Sequence, residues 1–313
     1  MTSVNFEQTS IIAITRFFLK KWLFIGSFTI FSGLFAVFYS LSLNNQYESF
    51  AILSPNQNLS AQKNGISKLN TGLSGLTSLA GINLGSNNQI DTITQAIAII
   101  NSLSFFEKWI SNDENNLVYL FAVDSWDKNL NKLNIDNLVY DKNINKWLRK
   151  PSAFTESKPS IEEAHREFLR NHFSIDQDFK TGLVTMSIKH ISPYIAKDWA
   201  DSIITTINEL VRQRDMNISE QQISYLNDQI SSTDSKEIRE IFFSLIQTEH
   251  KNIMLAKANP DYVFQIIESP YVSQYKVSPR RSIICIVITI FGFMFSIVII
   301  LFREFIKRLR ENK

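Results

Sequence analysis

The chain has 313 residues, enough for one large domain or two ordinary ones. Hydrophobic residues make up 44% and charged residues 20%, a globular balance that excludes wholesale disorder. Lys plus Arg (32) against Asp plus Glu (30) leaves a net charge of +2, which argues against nucleic-acid binding, and a single cysteine excludes an intramolecular disulfide or a Cys-based zinc site.

Residues 22–43, WLFIGSFTIFSGLFAVFYSLSL, carry no charge. At about 1.5 Å per residue such a helix spans roughly 30 Å, the thickness of a bilayer's hydrocarbon core. It lacks the polar stripe of a buried soluble helix. Ser40-Leu-Ser42 is a weak small-x-small cleavage signal. The run is nevertheless longer than a signal's apolar core and follows a mixed leader, which favours an uncleaved anchor. Trp22 and Tyr39 lie near its ends, where amphipathic rings prefer the interface.

Residues 46–53 partly alternate and read as a strand stopped by Ser54-Pro55. The Asn/Ser/Gly/Leu stretch 56–90 is either a flexible linker or, given its regularly placed leucines, an oligomer-contact loop. Asp91 caps a helix to about Ser111, with Ile93, Ile97, Ile100, Phe105 and Trp109 on one face. Residues 112–150, rich in Asn, Asp and Lys, read as irregular. Ser160 and Glu163 form a capping box for a helix to about Asn171. Strands at 173–176 and 183–190 flank a hairpin with Gly182 at its tight position. Ser192 and Pro193 then open a helix carrying Ile195, Trp199, Ile203, Ile207 and Leu210. It runs to about Ile230, and Asp234 with Glu237 opens a second helix to about Ala258. Laid end to end the two would reach about 100 Å, too long to bury their stripe in one compact domain. Neighbouring copies would have to cover it. A strand at 262–267 is expected to pair with 46–53 and bring both spans together.

Residues 282–302, SIICIVITIFGFMFSIVIILF, form the second uncharged run. Cys285 reads there as a small buried hydrophobe. Gly292 is either a point of close helix approach or a glycine simply tolerated in a span. The segments 1–21 and 303–313 together hold eight basic and three acidic residues, leaving 24 basic and 27 acidic between them. Positive-inside logic places both tails in the cytoplasm and the middle outside. Arg280 and Arg281 abut the second run on the outer side and snorkel to headgroups there. An outer domain tethered at both ends follows, with tails too short to hold a globular domain.

No phosphate-binding loop of the P-loop type is present. His165 and His172, with Glu162 close by, lack metal-ligand spacing, and exposed helix polarity accounts for them. No nucleophile, oxyanion or dyad constellation stands out. The expectation is a protein that is not an enzyme, with no cofactor and no metal.

Several stretches resemble one family. Gln46-Tyr-Glu-Ser-Phe-Ala-Ile-Leu-Ser-Pro55 looks like its first outer strand, and Gly75-Leu-Thr-Ser-Leu-Ala-Gly-Ile82 like its Leu/Gly-rich loop. Lys180-Thr-Gly-Leu-Val-Thr-Met-Ser-Ile188 with Ser192-Pro193 looks like its hairpin and first long helix. Ile253-Met-Leu-Ala256, Asn259-Pro-Asp-Tyr-Val-Phe264, Ile267-Glu-Ser-Pro270 and Ser278-Pro-Arg-Arg281 match most specifically, although Ser273 stands where a further proline is expected. With a span at each end, the chain resembles the polysaccharide co-polymerases, Wzz-type chain-length determinants. It is similar to their kinase-lacking branch, whose relatives bearing a tyrosine kinase add a large cytoplasmic domain with a P-loop.

The resemblance implies an α+β periplasmic domain, with a membrane-proximal α/β base and long extended helices, flanked by two transmembrane helices. The implied layout is a cytoplasmic tail (1–21), a first span (22–43), a periplasmic chain-length-determinant domain (44–281), a second span (282–302) and a second cytoplasmic tail (303–313). The implied role is an inner-membrane scaffold regulating the modal length of O-antigen or a related surface polysaccharide. Implied partners are further copies in a homo-oligomeric ring, a Wzy-type polymerase, the growing lipid-linked polysaccharide and the membrane. Pro270, Pro279, Arg280 and Arg281 would form a membrane-boundary motif and Gly292 a packing point between spans. A capsule or exopolysaccharide export component is the alternative within the family. A two-span sensor subunit is the alternative outside it.

Overall fold

The computed structural model describes residues 21–56, 92–151 and 156–311. It separates into two compact units, Tyr47–Gln274 and the segments flanking it on either side. In chain order the elements begin with α1 (Trp22–Ser42), β1 (Gln46–Pro55), α2 (Thr92–Ile100), α3 (Leu103–Ile110) and α4 (Asn115–Phe121). Two hairpins follow, β2 (Val123–Asp127) with β3 (Lys132–Ile135) and β4 (Tyr140–Asp141) with β5 (Lys146–Trp147). Next come α5 (Ile161–Glu167), a π-turn (Phe168–His172), β6 (Phe173–Gln177) and β7 (Val184–His190). The chain closes with α6 (Pro193–Ser232), α7 (Lys236–Ala258), β8 (Phe264–Glu268) and α8 (Arg281–Glu311). Mixed helix and sheet lies between two apolar helices, as the sequence leads one to expect.

In the Tyr47–Gln274 unit the strands order as β6-β7-β1-β8, each neighbouring pair antiparallel. The expected pairing of the strand at 46–53 with the one near 262–267 is present, with Leu53 opposite Ile266. Alternation decides which face is buried. Val184, Met186, Ile188 and His190 of β7 are buried, with Ser49, Ala51 and Leu53 of β1. Against them packs the first half of α6, where Trp199, Ile203, Ile207 and Val211 are buried. Trp109 of α3 meets Trp199 edge-on at 5.5 Å and Phe168 at 4.9 Å. The π-turn places Phe168 in this aromatic cluster. Truncating either buried Trp to Ala would cost about 3–5 kcal/mol.

Several expectations change on contact with the structure. The helix expected to run from Asp91 to Ser111 is two helices. Asn101 turns its side-chain amide to the Ile97 carbonyl, and Ser102 caps the restart by accepting from Phe105 N at 3.3 Å. Such local side-chain bonds compete with continued helix. Asp91 and the 57–90 stretch lie outside the described residues.

The segment 112–150 is not irregular. Its Asp and Asn residues build turns: Asp127 Oδ1 accepts from Asn129 N and Asp141 Oδ1 from Asn143 N, both at 2.8 Å. Asn131 and Asn145 take left-handed φ values of 46° and 49°, which Asn tolerates better than most residues. The two hairpin turns are near-copies. Trp126-Asp-Lys-Asn-Leu-Asn131 and Tyr140-Asp-Lys-Asn-Ile-Asn145 each send the aromatic polar group to the last Asn, at 3.0 Å and 3.3 Å.

Capping departs from expectation as well. Ser160 accepts from Glu163 N at 3.1 Å, but the Glu163 carboxylate pairs with Arg149 instead of returning to Ser160. Ser235, not Asp234, caps α7, accepting from Ile238 N and donating to Glu237 at 2.7 Å. The two long helices are not collinear. They fold back on each other as a hairpin, with Ser219 Oγ donating to Glu249 at 2.7 Å. Thr233 and Asp234 break the helical run, and a break is all that reversal requires.

Candidate functional site

In the second unit α1 and α8 run antiparallel along one shared seam. Their outer faces are bare and apolar: Phe31, Phe38 and Phe291 are largely exposed, and only 11% of each helix's most apolar window is buried. A soluble core helix would bury that surface. These are candidate transmembrane helices by length, composition and exposure together.

The seam is built from small residues. Ser32, Ala36 and Ser40 recur every fourth residue on the covered face of α1, and Thr289, Gly292 and Ser296 lie on the covered face of α8. Ser32 Oγ donates to the Ile288 carbonyl at 3.1 Å, a hydrogen bond between the helices. A Cβ built on Gly33 would sit 3.6 Å from Thr289 Oγ1, ordinary contact. One built on Gly292 would collide with the Ser32 side chain. Small residues let helix backbones meet this closely in a bilayer, where packing and hydrogen bonds replace the hydrophobic drive. Phe28 and Phe295 flank the seam with ring centroids 6.3 Å apart. Cys285, expected to be buried, is only half-buried, on the same face of α8 as Thr289 and Gly292.

At the other end of α8, Arg281 Nη2 donates to Asn45 Oδ1 at 3.2 Å, tying the helix start to the chain just after α1. Arg280 is exposed and Pro279 half-buried. Pro270 is buried in the Tyr47–Gln274 unit, next to Tyr271, whose ring meets Phe50 edge-on at 4.9 Å. Pro270 falls in the Tyr47–Gln274 unit, and Pro279, Arg280 and Arg281 fall in the other unit.

The histidines have structural partners. His165 Nε2 lies 3.0 Å from the Asn101 carbonyl, and His172 Nδ1 lies 2.7 Å from the Lys189 carbonyl. Neither is an idle exposed side chain, and Glu162 pairs with Arg166 instead of either. His190, unremarked in the sequence, is the buried one. It accepts from Ser192 N through Nδ1 at 3.0 Å, so Nε2 carries the proton and donates to the Tyr119 carbonyl at 3.0 Å. Burial, only partly offset by that carbonyl, pushes its pKa down to about 4. Among the described residues no three His, Cys, Asp or Glu side chains gather as metal ligands.

On the α6–α7 hairpin, away from the sheet, Ile218, Tyr225, Leu226 and Leu245 line a groove of ≈ 510 Å³. Tyr225 is 64% exposed there. Periodicity alone could not reveal the groove, because it depends on which way the second helix returns.

Residues 7–112 match the family model described as Wzz, chain length determinant protein. The match covers about the N-terminal third of the chain. That stretch takes in α1, β1, α2 and α3, the first candidate span and the strand at the middle of the sheet. Among solved structures, the chain is similar to a full-length bacterial polysaccharide co-polymerase at 11% identity and TM-score 0.36, covering 95% of this chain and 98% of that one. It is also similar to a fragment of WzzB, the polysaccharide co-polymerase from Salmonella Typhimurium, at 13% identity and TM-score 0.28, covering 75% of this chain and 100% of that fragment. No curated protein sequence matches the chain.

Proposed function

We propose that the protein is an inner-membrane scaffold that regulates the modal chain length of O-antigen or a related surface polysaccharide made by a Wzy-type polymerase. The observation that carries this is Wzz-type sequence running through the first of two candidate spans that pack directly on each other. Two such spans bracket the intervening unit in the sequence. The charge bias of the tails puts that unit in the periplasm and both termini in the cytoplasm. The span boundaries are those of the uncharged runs, 22–43 and 282–302.

Length regulation in this scheme needs no chemistry from the chain itself, since the polymerase makes the glycosidic bonds. What the chain supplies is a fixed assembly beside the polymerase and its lipid-linked product. The apolar groove on the α6–α7 hairpin supports self-association, with copies of the chain covering one another's Tyr225 and Leu245. Gly292 would keep the spans close, and Arg280 and Arg281 would sit among headgroups at the outer boundary. Deleting the gene and resolving surface polysaccharide on a gel tests the proposal. Altered modal banding is expected. Loss of all surface polymer would instead point to export, and an unchanged pattern would refute both.

A further inference from the structure

The face of α8 that packs on α1 does not end where α1 begins. Gly292, Ser296 and Ile300 are buried along it, in steps of four. Continuing in steps of three and four, the same face carries Arg303, Ile306 and Arg310. Lys21 and Phe24, from the start of α1, complete the walls of a cavity of ≈ 420 Å³ with these residues and Ile300. Among the described residues that line it, three side chains are cationic, the others are apolar and none is acidic. Lys21 makes no side-chain cap bond to its own helix.

We infer that this cavity holds the phosphate headgroup of an anionic phospholipid, with the first part of its acyl chains against Phe24, Ile300 and Ile306. The inference rests on the two helices crossing a membrane. Arg303 follows the last residue of the uncharged run 282–302, and Arg310 lies about 10 Å further along the axis. The polar layer beyond the hydrocarbon core is roughly 5–8 Å thick, so the cations bracket the depth of lipid phosphates. A free phosphate would satisfy the cations but leave the apolar wall wet. A zwitterionic lipid would cover that wall but bring a second cation among three. Basic pockets between transmembrane helices suit anionic headgroups for this reason.

Trp22 adjoins Lys21 and serves as a reporter, with a Trp22→Phe chain giving the background from the other four tryptophans. The full chain is reconstituted in phosphatidylcholine vesicles doped with brominated phosphatidylglycerol or brominated phosphatidylcholine. The brominated phosphatidylglycerol should quench Trp22 as though enriched roughly tenfold at the site. Replacing Lys21, Arg303 and Arg310 together by Gln should bring the two lipids to parity, whereas Lys21→Arg with Arg303→Lys and Arg310→Lys should keep the preference. Equal quenching of the unaltered protein by both lipids would overturn the assignment. Loss of the preference in added inorganic phosphate, but not in chloride of equal ionic strength, would make it a small-anion site and overturn it too. Preference appearing only after residues 2–18 are removed would give the cavity to the chain's own N-terminal segment instead. Carbonate extraction separates the premise from the inference: release of the protein would refute the spans, while retention with no lipid preference would refute only the site.

Discussion

Gly292 and His190 each depend on what surrounds them, and each makes a different demand. At Gly292 the Ser32 side chain occupies the space a Cβ would need, so the helices must separate or shift to admit any larger residue. Overpacking of a tight contact typically costs about 1–3 kcal/mol. Gly292→Leu should therefore insert and accumulate normally, melt earlier in detergent, and shift the polysaccharide length distribution. Normal melting and banding in a well-expressed Gly292→Leu strain would show the glycine to be passive. At His190 the demand is for neutrality. Its folded pKa of about 4 lies below the ordinary 6.5, so the unfolded chain takes up the proton first. Stability is then whole above pH 6.5 and is lost as the pH falls toward 4, by about 3 kcal/mol from this residue. Burial lowers His172 as well, and its loss runs in the same direction. The fall in melting temperature from pH 7 to pH 5 should shrink in His190→Gln. An undiminished fall would locate the pH dependence elsewhere.

At the level of elements, the α6–α7 hairpin separates two arrangements that share one sequence pattern. The apolar stripe from Ile195 to Ala258 fits a collinear rod as well as a hairpin. Helical periodicity reports which face is covered and not what covers it. In the hairpin, Ser219 touches Glu249, thirty residues away. On one continuous helix that separation would be about 45 Å. Cysteines placed at 219 and 249, with Cys285 replaced by Ser, should be joined within one protomer by a short bifunctional thiol reagent. Products linked only between protomers would favour the rod. The paired hairpins β2–β3 and β4–β5 show the opposite case, in which the information was present in the sequence. Asp-Lys-Asn-x-Asn after an aromatic occurs twice, and each copy builds the same turn. Asn and Asp richness resembles disorder only until their Asx-turn geometry is considered. The strands at 173–177 and 184–190 were legible for the same reason, with Gly182 at φ +73° marking the reversal.

For the molecule as a whole, the two uncharged runs and the strand between the first of them and residue 56 fix the plan, because burial of apolar length leaves few choices. What could not be read was the pairing of faces. Ser32 against Gly292, the return of α7 along α6, and Tyr225 left uncovered all depend on three-dimensional neighbours that no local pattern names. Tyr225, at 64% exposed, lies in a groove with Ile218, Leu226 and Leu245, and such a patch on a monomer calls for a covering surface. Self-association of the chain would provide one. Cross-linking in intact membranes should give a ladder well beyond dimer. Tyr225→Ser with Leu245→Ser should shorten that ladder while leaving the circular dichroism of the purified chain unchanged, since neither side chain belongs to the buried core. An unaltered ladder would move the contact to another face. A monomer in membranes, whatever the variant, would remove self-association from the proposed mechanism altogether.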